Sequence, residues 1–130
     1  MKLDHVAFEV SDLEKSIRFY TDVLGLRLMF QEKDEDHHEA FAFLELEGGN
    51  LELLQGLDED NQPVPFAPPE IASPFCPHLA MGSENLDRLA ADLKTKGIPI
   101  VKGPLEIPGQ VKWLYISDPD HNVLEFVEWL

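Results

Sequence analysis

The chain has 130 residues, 44% hydrophobic and 27% charged, a size and balance expected of a single domain, 1–130, with a proper core. Its 25 acidic against 10 basic residues give a net charge of −15, which argues against nucleic acid and anionic membrane surfaces as partners. No apolar segment follows Met1 and no run approaches the roughly 18 apolar residues of a membrane span, so a cytoplasmic protein is expected. The single cysteine, Cys76, excludes an intrachain disulfide and suits a reducing compartment.

Leu3 to Val10 reads as a strand, with His5, Ala7 and Glu9 on one face and Val6, Phe8 and Val10 on the other. Ser11-Asp12-Leu13-Glu14 matches a capping box with Ser11 as N-cap. The helix it opens carries Leu13, Ile17, Tyr20 and Leu24 at helical spacing and stops at Gly25. Leu26 to Gln31 follows as a second strand, and the polar run from Glu32 to Glu39 reads as a loop. Within that run the adjacent His37 and His38 point apart, as in a solvated turn rather than a metal site. Ala40 to Glu47 alternates as a third strand, Gly48-Gly49 turns, and Asn50 to Gln55 is a fourth.

Six of the ten prolines lie between Gly56 and Pro77, a stretch read as an extended linker. The pattern then restarts. His78 to Met81 is a strand, Ser83 the expected N-cap of a helix carrying Leu86, Leu89, Ala90 and Leu93, and Gly97 its stop. Strands are expected at Ile98 to Lys102, Val111 to Ile116 and Asn122 to Trp129, with turns at Gly103-Pro104 and Pro108-Gly109. Cys76, just before this module, is expected to be a small buried thiol. Phe41 with Phe43, and Trp113 with Tyr115, share strand faces and suit core packing or a pocket wall. The whole reads as module one at 1–56, a linker at 57–77 and module two at 78–130, each β-α-β-β-β.

A shift of 73 residues superimposes the modules, carrying His5 onto His78, Leu13 onto Leu86 and Glu52 onto Glu125. Both glutamates lie inside apolar strands, Leu51-Glu52-Leu53-Leu54 and Leu124-Glu125-Phe126, where a carboxylate is costly unless it is paired or binds a cation. Any one of the four residues alone is more often an ordinary strand residue. Two histidine–glutamate pairs at one repeat register point instead to a divalent metal held by His5, Glu52, His78 and Glu125.

These paired modules, together with His5-Val6-Ala7-Phe8, Phe19-Tyr20-Thr21-Asp22-Val23-Leu24-Gly25-Leu26 and Asp118-Pro119-Asp120, resemble the vicinal oxygen chelate superfamily of glyoxalases, bleomycin resistance proteins and dioxygenases. The resemblance implies an α+β fold of two βαβββ modules forming an open, metal-centred barrel, usually in a homodimer. The four ligands match the set of glyoxalase I (lactoylglutathione lyase). Three-ligand relatives, the dioxygenases and fosfomycin-modifying proteins, use positions matching His5, His78 and Glu125, so Glu52 weighs against them. The related epimerase commonly has Gln at the Glu52 position, and bleomycin-binding relatives lack the metal residues. Two departures concern the substrate: Glu9 stands where bacterial glyoxalase I carries an arginine for the glutathione carboxylate, and Gly56 where it carries an asparagine.

The resulting expectation is a metal-dependent lyase or isomerase acting on a small-molecule carbonyl compound or thiol adduct. The metal, Zn²⁺ or Ni²⁺ before Mn²⁺, Co²⁺ or Fe²⁺, polarises the carbonyl while Glu125 serves as base, with Glu52 its pseudo-symmetric alternative. A small-molecule binding or resistance protein without turnover, an epimerase and an iron-dependent dioxygenase are the competing readings.

Overall fold

Alternating apolar residues closed by glycine turns build the same sheet twice. The computed structural model describes residues 1–130 as two units, Met1–Pro68 and Pro69–Leu130, divided inside the proline-rich stretch. In the first, β1 (His5–Glu9), β2 (Arg27–Asp34), β3 (Glu39–Leu46) and β4 (Gly49–Gly56) lie in the order β1-β4-β3-β2, with helix α1 (Leu13–Arg18) between β1 and β2. In the second, β5 (His78–Gly82), β6 (Lys102–Ile107), β7 (Val111–Ser117) and β8 (Val123–Trp129) lie in the order β5-β8-β7-β6, with α2 (Leu86–Thr95) after β5. In each sheet the first strand runs parallel to the last and the other pairs are antiparallel. The fold is α+β, two βαβββ units, as expected. No helix is long and apolar enough to cross a membrane.

Register carries the repeat into space. His5 lies opposite Asn50 and Ala7 opposite Glu52; a shift of 73 residues gives His78 opposite Val123 and Ala80 opposite Glu125. One sheet face of each unit packs under that unit's helix. Ala42, Leu44, Leu51 and Leu53 are buried with Leu13 and Ile17, while Leu114, Ile116, Leu124 and Phe126 are buried with Leu86 and Leu93. Leu124 is fully enclosed in β8, beside Glu125, so Leu124→Ala should cost about 2–5 kcal/mol in urea unfolding. Trp129→Ala, at a side chain 78% exposed, should stay within about 0.5 kcal/mol. Equal effects of the two would show that burial in β8 does not carry the unit's stability.

Six expectations are corrected. The N-cap of α1 is Asp12, not Ser11: Asp12 accepts from the Lys15 amide, and Glu14 turns away to accept from Gln31. The N-cap of α2 is Asn85, not Ser83, and accepts from the Arg88 amide. In both cases the earlier residue is held by the strand side, the Ser11 carbonyl by Gln55 and the Ser83 amide by the Val127 carbonyl. The polar run after Gln31 is half strand, because β2 is a sheet edge whose charged side chains stay solvated through Asp34. Strand β6 begins at Lys102 rather than Ile98, and Gly103-Pro104 is a bulge inside it. Gly103 has φ +106° and passes so close to β7 that a Cβ would stand 2.9 Å from the Trp113 carbonyl oxygen. Finally, the linker is not extended at its start. Asp58 accepts from the amides of Asp60 and Gln62, Leu57 bridges Pro63, and the Leu57 amide donates to His38.

The helix expected through Leu24 is α only to Arg18 and continues as a π turn, Phe19–Val23, in which the Leu24 amide reaches back five residues to Phe19. Tyr20, within that turn, is completely buried. Gly25, at φ +74°, then ends the helix as expected, with the Leu26 amide closing onto the Tyr20 carbonyl.

Candidate metal-binding half-sites

β1 is an edge strand held by β4 alone, so His5 and Glu52 come from adjacent strands one pleat apart. His5 Nε2 lies 3.8 Å from Glu52 Oε1, and the Glu52 side chain is only 16% exposed. The other imidazole nitrogen, Nδ1, is 2.6 Å from Asp4 Oδ2. That hydrogen bond lifts the His5 pKa above its usual 6.5, partly opposed by desolvation and helped by the charge of Glu52. Phe43, the cross-strand partner of Glu52, meets the His5 ring edge-on at 5.2 Å, and Phe30 stacks on Phe43 at 5.1 Å.

The second unit repeats this plan. His78 Nε2 lies 2.6 Å from Glu125 Oε2, while Nδ1 is 3.0 Å from the Phe75 carbonyl oxygen. Tyr115 is the cross-strand partner of Glu125 and meets the His78 ring edge-on at 5.6 Å, and its ring also packs against Phe75 at 4.9 Å. Burial, then the charge of Glu125, pushes the Tyr115 phenol above its usual range, against an N–H···O interaction from Trp113. The turn into β8 is fixed by Asp118, which is buried and accepts from the amides of Asp120 and Asn122 and from the Asn122 side chain. Cys76 lies before the strand, as expected, but is exposed rather than buried, with its Sγ 3.9 Å from His78 Nδ1.

Each half-site thus places an acceptor at Nδ1 of its imidazole and a carboxylate facing Nε2, an arrangement that can take a cation between Nε2 and the glutamate. Metal-binding histidines commonly donate their second N–H to a carboxylate or backbone carbonyl, which Asp4 and Phe75 provide here. The donors of both pairs therefore fit a divalent ion. No three His, Cys, Asp or Glu side chains gather as a metal site, and each unit brings together one histidine and one glutamate. The sequence reading missed Asp4, the Phe75 carbonyl, and the rings of Phe43 and Tyr115 as supports of the histidines. Only the adjacency of Asp4 to His5 could have signalled one of them.

A second repeat feature escaped the sequence reading. Gln55 Oε1 accepts from the Leu13 amide at 3.0 Å, and Glu128 Oε2 accepts from the Leu86 amide at 2.9 Å. A shift of 73 residues relates donor to donor and acceptor to acceptor. Each last strand thereby holds the first turn of its own helix, satisfying an amide that has no partner within the helix.

Other singled-out residues take plain roles. Exposed His37 pairs with Asp34 at 2.8 Å, which lifts the imidazole and lowers the carboxyl pKa. His38, expected to be solvated, is half-buried and tied through Nδ1 to Asn61 at 2.9 Å. Glu9 is exposed at the end of β1, and a Cβ on Gly56 would press to 3.3 Å from Val64.

Two βαβββ units that each set a histidine on the first strand against a glutamate on the last define the class of glyoxalase-type folds. The chain belongs to the Glyoxalase/Bleomycin resistance protein/Dioxygenase superfamily, whose family model matches residues 2–126. Among curated relatives it is 27% identical to lactoylglutathione lyase of Haemophilus influenzae, over 98% of this chain and 93% of that one. It is 26% identical to the virulence protein STM3117 of Salmonella typhimurium, over 99% and 85%. The solved structure of SMU.1112c is 27% identical with a TM-score of 0.79, covering 98% of both chains. The antibiotic-binding protein TnmS3 of Streptomyces sp. CB03234, at 20% identity and TM-score 0.74 over 100% of this chain and 97% of that one, shares the fold.

Proposed function

We propose that the chain is a divalent-metal-dependent lyase or isomerase of the glyoxalase I type, moving a proton on the carbon beside a carbonyl of a small-molecule carbonyl compound or thiol adduct. The observation that carries this reading is the repeated pair, His5 with Glu52 and His78 with Glu125, each imidazole anchored at its far nitrogen. The similarity to lactoylglutathione lyases along nearly the whole chain supports it. His5, Glu52, His78 and Glu125 hold the ion, and two imidazoles with two carboxylates suit Zn²⁺ or Ni²⁺. When bound, the metal supplies a Lewis acid that favours the enediolate of the substrate.

Glu125 takes the proton from carbon and returns it to the neighbouring carbon, with Glu52 able to take the same part on the other side. At 15% exposure the Glu125 carboxylate works in a poorly solvated setting, beside the His78 imidazole. Replacing it by glutamine should lower kcat by about 10²- to 10⁴-fold. Exposed Glu9, in place of a cationic anchor, disfavours the anionic glutathione adduct. Metal-loaded protein should therefore turn over the methylglyoxal–glutathione adduct with kcat/KM below about 10⁴ M⁻¹s⁻¹, and another thiol or carbonyl compound better. A higher value would overturn the substrate reading. A protein that binds such compounds tightly, holds no metal and turns none over is instead a binding protein.

A further inference from the structure

We infer that His121 is a positioning residue of the second half-site: by holding the strap that leads into β5, it keeps the Phe75 carbonyl against His78 and so fixes the direction of that imidazole. The role rests on the proposed metal site and adds to it a residue from outside the half-site. The strap, residues 69–77, is mostly exposed and has prolines at 69, 74 and 77, which bring no amide to a sheet. Side-chain contacts must therefore hold it where a strand ladder would otherwise do so. His121, in the turn before β8, supplies one, with Nδ1 2.9 Å from the Pro69 carbonyl oxygen. A carbonyl only accepts, so Nδ1 is the donor. Further along, the Phe75 amide closes onto the Ala72 carbonyl at 2.8 Å, and the Phe75 ring packs against Tyr115. The Phe75 carbonyl then accepts from His78 Nδ1 at 3.0 Å. The turn before β8 thus reaches the imidazole on the neighbouring strand through the strap, with a hydrogen bond at each end.

The repeat supplies an internal comparison. His121 stands four residues before Glu125 (125 − 121), and Gly48 four before Glu52 (52 − 48). Both are left-handed, at φ +66° and +86°. Glycine takes that conformation freely, whereas a side chain is strained there. A Cβ on Gly48 would meet nothing within 4 Å, so backbone conformation rather than space calls for glycine in the first unit. The second unit carries a strained side chain instead, and its ring goes to Pro69. The two histidines differ in the same sense. His5 Nδ1 is held by its own chain neighbour, Asp4, and needs no strap. His78 Nδ1 depends on a strap carbonyl, and only beside His78 does the turn carry a side chain that holds the strap.

The test compares His121→Gly with His121→Asn. Glycine suits φ +66° and removes the ring; relief of strain offsets the lost hydrogen bond, so urea unfolding should stay near wild type. Zinc affinity, measured by competition with a chromophoric chelator, should nevertheless fall about 10-fold, the lower end for partners that orient a metal-bound histidine. Asparagine tolerates the left-handed conformation, and its Nδ2 stands at the same point of the side chain as histidine Nδ1, so His121→Asn should keep wild-type affinity. A nitroxide on Cys76, the single cysteine and exposed, reads the strap in metal-free protein. Its spectrum should sharpen in His121→Gly and keep wild-type breadth in His121→Asn.

Wild-type zinc affinity in His121→Gly, or an unchanged nitroxide spectrum, would overturn the role and leave the metal reading standing. Wild-type protein that takes up no zinc would overturn the proposed function, and this role with it. Should His121→Gly misfold, His121→Asp takes its place, matching asparagine in size and backbone tolerance but lacking the donor. The nitroxide should then be more mobile in His121→Asp than in His121→Asn, and equal spectra for the pair would overturn the role.

Discussion

Protein purified without an affinity metal and equilibrated with Zn²⁺ or Ni²⁺ should hold about one ion per chain, and His5→Ala with His78→Ala should abolish that binding. The effect is large because each half-set has only two donors. Removing one imidazole leaves three ligands and a weakened site, whereas removing both leaves two carboxylates that offer little to a borderline-soft ion. Asp4 and the Phe75 carbonyl amplify the loss, since they orient those same imidazoles. Elemental analysis decides the matter: wild-type occupancy in the double variant would place any metal elsewhere.

Mixing His5→Ala protein with Glu125→Ala protein should restore full-affinity metal binding that neither shows alone. The proposal behind this is a homodimer in which the first module of one chain completes its site with the second module of the other. A mixed dimer then carries both lesions in one site and none in the other, so random exchange should recover roughly a quarter of the sites. The turn at residues 57–64 shortens the stretch available to separate the modules, but residues 65–77 can still span about 40 Å when extended. No recovery despite proven exchange would mean that each chain builds its own site.

Much of the site was legible because the repeat is. Strand alternation and helical spacing are local, and the 73-residue shift puts His5 and His78, and Glu52 and Glu125, on equivalent strand positions that the register bears out. What escaped the reading depends on partners far along the chain. Ser11 and Ser83 look like N-caps in isolation, yet Gln55 and the Val127 carbonyl hold them and the caps fall to Asp12 and Asn85. Gly103-Pro104 looks like a turn, and only its close approach to Trp113 makes it a bulge. Likewise, a thiol just before a strand gave no sign that Cys76 would be exposed.

The edge position of β1 and β5 has a consequence for how the protein is made. Each histidine-bearing strand is the first of its unit to leave the ribosome, but its sole sheet neighbour is the unit's last strand, which carries the glutamate. His5 therefore waits for residues 50–54, and His78 for residues 123–127, before it has a strand to pair with. Neither half-site exists on a partly synthesised unit, so a nascent chain offers passing metal ions no preformed pair until that unit's sheet has closed.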